Sequence, residues 1–208
     1  MKDQQKFICI TNRKLVKGDF LSWLQLILDC GVNGLPAPDW LILREKDLPP
    51  SDYMILAHRV IDLCSAKDKL CILHSWPDVA RELGCKNIHL PLEKLRQMNS
   101  EEKSFFRILG VSVHSPEEAR EARALGATYV TFGHVFATNC KKGLEPRGLD
   151  SLGACCAGVD CPVYGIGGIN EKNYGDCMKT GAAGVCVMSG YMSVTSYNGS
   201  KEIVSFCI

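Results

Sequence analysis

The passage ILGVSVHSPEEAREARALGATYVTFGHVF, residues 108–136, contains a whole strand–helix–strand unit. Its two ends, residues 108–114 and 129–136, are rich in β-branched and aromatic letters. Their apolar residues run almost continuously instead of alternating, as in strands covered on both faces of a parallel sheet. Between them Ser115 is a good N-cap, Pro116 suits the first helical position and Glu118 completes a capping box. Gly126 supplies the stop.

The same beat continues in both directions. Upstream lie FICIT (7–11), LILRE (41–45), LCILH (70–74) and NIHLP (87–91); downstream lie PVYGIGG (162–168) and GVCVMS (184–189). Residues 51–66 carry Met54, Leu56, Ala57, Val60, Ile61 and Leu63 on roughly one helical face, and PDVARELG (77–84) opens on proline and closes on glycine. Eight strands alternating with crossovers predict an α/β fold, a compact (β/α)8 TIM barrel forming one domain over residues 1–208. A doubly wound open sheet stays as the alternative, because periodicity cannot see closure. The tail after Ser189 is short, so the last helix is expected to be abbreviated or irregular.

Composition sets the outer bounds. Of 208 residues, 46% are apolar and 23% charged, as in an ordinary globular enzyme. A net charge of +1 gives no argument for nucleic acid or an acidic membrane surface. The opening MKDQQKFICIT is too brief for a signal-peptide core and no run reaches membrane-spanning length, so a cytoplasmic protein is expected. Twelve cysteines include no C-x-x-C pair. Cys9, Cys71 and Cys186 sit inside strand runs as small hydrophobes, and Cys155, Cys156 and Cys161 lack paired zinc-ligand spacing. Neither zinc nor disulfides are expected.

In a barrel the chemistry belongs at the C-terminal strand ends. Those ends carry Arg44, Glu45 and Lys46; His74 and Ser75; Ser112 and His114; Gly133 and His134; the glycines of 165–168; and Ser189 with Gly190. The GIGG run followed by Ser189-Gly190 fits a phosphate cradle built from backbone N–H groups, or merely a tight turn. Strand alternation puts Arg44 and Lys46 on one face, where they either meet an anion or form a solvated loop. His58 falls on a helix and His89 in mid-strand. His74, His114 and His134 sit where an imidazole can move protons. Three such histidines also raise a metal reading, although Glu45 is the one acidic residue among the strand ends.

The pieces LILREKDL, CILHSWPDVARELGCKNIHL, GVSVHSPEEAREARALGATYVTFGHVFATNCKKG and PVYGIGGI occur in this order. Over nearly its whole length the chain resembles the thiamine phosphate synthase and TenI superfamily, which implies a (β/α)8 barrel. Synthases of that superfamily couple an aminopyrimidine pyrophosphate to a thiazole phosphate with magnesium. Their third strand ends in Asn-Asp, and a further Asp follows the fourth in a pattern like H-L-G-Q-x-D. Here those places hold His74-Ser75 and Lys94, which removes the oxygen ligands magnesium needs. The synthase reading G-P-V-F, T-x-T-K becomes GHVFATNCKKG, with His134 at the proline place and Cys140 at the second threonine place.

That wording resembles TenI thiazole tautomerases. The resemblance implies aromatisation of a carboxythiazole phosphate by moving a proton from ring C2 to the exocyclic carbon, with His134 as the catalytic base and acid. It implies that backbone at Gly168, Ser189 and Gly190 holds the phosphate, and that Arg44 and Lys46 address the carboxylate. His114 and Thr138 line the pocket, while Lys141 matches the synthase lysine without an assigned role. No metal, cofactor, nucleic-acid or membrane partner is expected, and a homodimer is an inference from relatives. A synthase with a degraded magnesium site and a non-catalytic thiazole phosphate-binding or regulatory protein are the alternatives. LPAPDW, residues 35–40, reads as an insertion before the second strand, at the barrel end opposite the chemistry.

Overall fold

The structure is a computed structural model that describes residues 5–141 and 143–193. Its first half runs β1 (Lys6–Ile10), α1 (Phe20–Cys30), β2 (Trp40–Leu43), α2 (Pro50–Ala66), β3 (Leu70–His74), α3 (Pro77–Glu82) and β4 (Asn87–Pro91). Two short helices follow, α4 (Leu92–Gln97) and α5 (Ser100–Ser104). Next come β5 (Ile108–Val113), α6 (Pro116–Ala124), β6 (Tyr129–Gly133), α7 (Gly148–Gly158), β7 (Val163–Ile166), α8 (Tyr174–Lys179), β8 (Gly184–Val187) and α9 (Ser189–Met192).

All eight strands pair in parallel in chain order, and β8 closes onto β1 through the Ile8–Cys186 register. Closure removes the open-sheet alternative. Parity then sorts each strand into two faces. Ile8, Ile10, Ile42, Ile72, Tyr129, Tyr164 and Cys186 fill the barrel interior. Their neighbours Cys9, Leu41, Leu43, Leu73, Val111 and Phe132 belong to the layer under the helices, with Leu24, Ile27, Ala57 and Val60. Both faces are dry, which is why the strands read as unbroken apolar runs. Three rings, Trp40, Tyr129 and Tyr164, meet pairwise at 5.5–5.6 Å inside the barrel.

Ser115 caps α6 by accepting from the Glu118 N–H at 3.2 Å. The expected capping box is only half realised, because the Glu118 carboxylate accepts instead from the His114 N–H at 2.6 Å. It thereby reaches one residue beyond the cap and fixes the backbone of a strand-end histidine. The last helix is short, as expected, with four residues in α9. The remainder of the predicted tail lies outside the described residues.

The insertion is less remote than the sequence suggested. Leu35 is buried, and its Cδ1 lies 2.9 Å from where a Cβ on Gly190 would stand. The Asn33 amide donates to the Gly190 carbonyl at 2.7 Å and the Tyr191 hydroxyl to the Pro36 carbonyl at 2.7 Å. The segment therefore braces α9, which begins with the two residues assigned to the phosphate. Asp39 and Trp40 lie at the far end of the barrel as expected, beside Phe7 and Leu70, whereas Leu35 and Pro36 reach α9.

Candidate active site

Beyond β2 the polypeptide keeps its parity. Arg44 follows Ile42 on the inward face, half-buried, and its N–H donates to Thr11 Oγ1 at 2.9 Å. Glu45 points the other way and is buried. It accepts from the Thr11 hydroxyl at 2.7 Å, from the Arg13 N–H at 3.0 Å and from the Arg13 guanidinium at 3.1 Å. The one strand-end carboxylate is thus consumed in holding the loop after β1. Lys46 stays exposed.

Lys46 does not stand alone. Partial burial and the neighbouring charges of Arg44, Lys141 and Lys94 lower its pKa from the ordinary lysine value. Lys94, from α4, donates to the Ser75 carbonyl at 2.7 Å and lies over the Trp76 ring at 5.2 Å. None of these four cations forms an ion pair with a described residue. Lys141 belongs to a 3-10 turn, Asn139–Lys141, in the loop after β6, so that loop meets the β2–β4 side across the barrel mouth.

Beneath the cations lies a neutral histidine floor. His74 and His89 stack with ring centroids 5.6 Å apart. His74 accepts or donates at Nδ1 to the Ser75 hydroxyl at 2.5 Å, and Ser75 is held at φ 69°, a left-handed conformation rare outside glycine. Burial first, then His89 and the cations above, push the His74 pKa well below its ordinary value. Burial, helped by Lys46, brings His89 down to about 3.

On the opposite side the groups are mostly backbone. Gly168 has φ +68°, and a Cβ there would stand 2.5 Å from the Ala137 carbonyl oxygen and 2.7 Å from that of Phe136. Only glycine fits so close an approach of the loops after β6 and β7. The Asn173 side chain donates to the Gly168 carbonyl at 2.9 Å and accepts from the Asn170 N–H at 2.8 Å, which fixes the turn. Among the described residues the N–H groups of Gly168, Ser189 and Gly190 find no acceptor. Strands β7 and β8 are neighbours, so these donors share one corner of the mouth.

His134 stands beside that corner. It is 8% exposed, and its Cβ lies 2.3 Å from where a Cβ on Gly167 would stand. Its Nε2 meets the Leu144 carbonyl at 3.3 Å. A carbonyl only accepts, so this contact puts the proton on Nε2 and leaves Nδ1 as the basic nitrogen. His114, exposed, places Nδ1 at 2.6 Å from the Gly133 carbonyl, which by the same argument leaves its Nε2 basic. Thr138 is half-buried in the intervening loop, and its carbonyl accepts from the Lys141 N–H at 3.1 Å.

The barrel therefore gathers His134, His114, Gly168, Ser189 and Gly190 on one side and Arg44 and Lys46 on the other. Sequence reading did not foresee that Lys94 and Lys141 join the cations. It also passed over the link from Tyr129 through His89 to Ser112, with contacts of 2.9 and 2.8 Å. The signal was available as Gly110 and Ser112 on one strand and Tyr129 on the next, but only the sheet register aligns them.

The fold and these residues define a (β/α)8 barrel whose polar constellation occupies the C-terminal strand ends, where barrel enzymes carry their active sites. Residues 7–191 match the family described as thiamine monophosphate synthase. The chain belongs to that family, which places it among thiamine-biosynthesis enzymes. It is 31% identical to the thiamine-phosphate synthase of Clostridium acetobutylicum, over 96% of this chain and 92% of the relative. A thiamine-phosphate synthase of Desulfitobacterium hafniense strain Y51 is 36% identical over 88% of this chain and 87% of its own. Among solved structures, thiamine phosphate pyrophosphorylase from Pyrococcus furiosus superposes with a TM-score of 0.78 at 28% identity, covering 93% of this chain and 90% of that one.

Proposed function

We propose that this family member is a thiazole tautomerase, converting a carboxythiazole phosphate tautomer to its aromatic form. The observation that carries the reading is the placement of His134 against Gly167, beside the backbone donors of Gly168, Ser189 and Gly190. A phosphate held there by backbone N–H groups brings the attached ring within reach of the imidazole. Nδ1 of His134 takes the proton from ring C2, the C–H electron pair enters the ring, and the exocyclic double bond receives the same proton. One C–H bond breaks, one forms, and no co-reactant is consumed. A single imidazole serves as base and then acid. Arg44 and Lys46 receive the carboxylate and offset the charge that develops as C2 loses its proton.

The relatives' names favour a second reading, synthase activity, which implies magnesium. The ends of β3 and β4 do not suit that ion. They present an imidazole, a serine and Lys94, under a cationic canopy, in place of hard anionic oxygens. A third reading keeps the barrel and the anion site as a binding or regulatory module without turnover.

The test is His134→Asn, followed by ultraviolet absorbance of the aromatic product. Turnover falls about 100-fold or more if His134 moves the proton; unchanged turnover sinks the assignment. Magnesium-dependent product from the two synthase precursors selects the second reading, and tight thiazole phosphate binding with no conversion selects the third.

A further inference from the structure

Three adjacent strands share a buried polar chain that the proposed proton transfer does not use. Tyr129 of β6 leans across Gly110 of β5, where a Cβ would come 2.0 Å from the ring, and meets His89 of β4 with its hydroxyl 2.9 Å from Nδ1. The other imidazole nitrogen, Nε2, lies 2.8 Å from Ser112 Oγ, with Thr131 Oγ1 further off at 3.4 Å. Tyr129 and His89 are buried, whereas Ser112 is half-buried near the end of β5, where the interior opens to the mouth.

The direction of each hydrogen bond follows from the inventory of donors. Among the described residues the Tyr129 hydroxyl has His89 as its hydrogen-bond partner. A buried phenol that accepted from Nδ1–H would leave its own proton without an acceptor, which buried groups avoid. The phenol therefore donates, and Nδ1 accepts. Burial keeps this imidazole neutral near pH 7, so it carries a single proton, necessarily on Nε2. Nε2–H then donates to Ser112 Oγ. With its oxygen accepting from His89 and, at 3.5 Å, from the Thr131 hydroxyl, the serine keeps its own proton for an acceptor at the mouth.

We infer that Tyr129 and His89 are positioning residues that lock the Ser112 hydroxyl as a hydrogen-bond donor to an acceptor atom of the bound thiazole. The inference rests on the tautomerase reading for the identity of that ring. The directions within the chain stand without it. Stacked His74 fills the other face of His89, which leaves the ring no freedom to turn over. Gly110 and Tyr129 thus carry a functional consequence in addition to packing: a phenol on one strand sets the polarity of a serine two ångström-scale contacts away.

Two measurements decide it. Nitrogen-15 NMR of the histidine-labelled, unliganded protein at neutral pH is expected to show His89 with Nε2 protonated and Nδ1 bare. Tyr129→Phe should convert that signature to a mixture of tautomers. A proton on Nδ1 in the unmodified protein overturns the proposal, whatever the activity proves to be. In kinetics, Ser112→Ala should lower kcat/KM roughly tenfold, the worth of one good hydrogen bond, and Tyr129→Phe by a smaller factor. The double variant should be no slower than Ser112→Ala alone, because the phenol acts only through the serine. Independent, multiplying losses overturn the proposal, as does equal activity in His89→Gln, which keeps a donor at the Nε2 position, and His89→Leu, which does not. Should the protein bind carboxythiazole phosphate without turnover, calorimetric affinities supply the same cycle, and His134→Asn separates a failed tautomerase assignment from a failed positioning one.

Discussion

The two sides of the barrel mouth are built from different materials. At β7 and β8 the proposed anion donors are main-chain N–H groups, held by glycine conformation and by Asn173. At β2 to β4 they are the ends of Arg44, Lys46 and Lys94, joined by Lys141, over neutral imidazoles. A backbone cradle is rigid and indifferent to side-chain substitution nearby, but it fails when its own geometry is disturbed. A canopy of long cations is adjustable, and its strength rests on charge. On the proposed function, the difference assigns recognition of a phosphate to the rigid side and discrimination between ligands to the adjustable one.

The largest expected effect breaks the rigid side. Gly168→Ala puts a methyl 2.5 Å from a backbone oxygen that cannot swing away, at a φ of +68°. The turn must move, at a cost of about 1–3 kcal/mol in stability. Displacing the charge-assisted Gly168 N–H contact should weaken inorganic phosphate binding by roughly 100-fold. Isothermal titration with phosphate reads it, and wild-type affinity would show that the cradle lies elsewhere. Next in size is Arg44→Met, which keeps the stem and removes the charge. Affinity for the carboxylated thiazole phosphate should fall by about 10- to 100-fold while inorganic phosphate binds as before. Equal losses for both ligands would mean that the two sides do not divide the work.

How far the sequence discloses each side follows from the same contrast. All eight strand segments are legible, because a strand dry on both faces leaves an unbroken apolar run, and LCILH and NIHLP match β3 and β4 residue for residue. The glycines of 165–168 are legible because an unusual backbone demands an unusual residue. Glu45 is misleading: its neighbours Arg44 and Lys46 belong to the mouth, yet parity turns it outward to Arg13 and Thr11. The His89 chain is invisible, since His89, Ser112 and Tyr129 are linked only by register across three strands. So is the reach of Leu35 and Pro36 to α9, a contact between segments more than 150 residues apart in sequence.

A smaller effect is pH-dependent and tests the histidine floor. In the unfolded chain a histidine takes up its proton near pH 6.5. In the folded protein His89 resists until about pH 3, and His74 is likewise held neutral well below its ordinary value. Between those limits the unfolded state binds more protons, so stability falls as pH falls. Each such group removes roughly 1.4 kcal/mol per pH unit below about 6.5. Urea unfolding at several pH values should show that slope, and His89→Gln should flatten it by about one proton's worth. A slope unchanged by the substitution would mean that His89 is solvated and titrates normally.

The smallest effect concerns the brace between the sides. Tyr191 is buried; its hydroxyl donates to the Pro36 carbonyl, and its own carbonyl accepts from the Trp23 indole at 2.9 Å. Together with Leu35 against Gly190, this ties the segment before β2 to the turn that opens α9. Tyr191→Phe removes one hydrogen bond and leaves the ring in place, so unfolding stability should drop by only about 1 kcal/mol. If the brace serves the cradle, phosphate affinity falls a few-fold with it and Arg44-dependent recognition of the carboxylate does not change. If phosphate affinity holds while stability drops, the segment supports the barrel wall alone, and the rigid side is rigid through its glycines without help from the insertion.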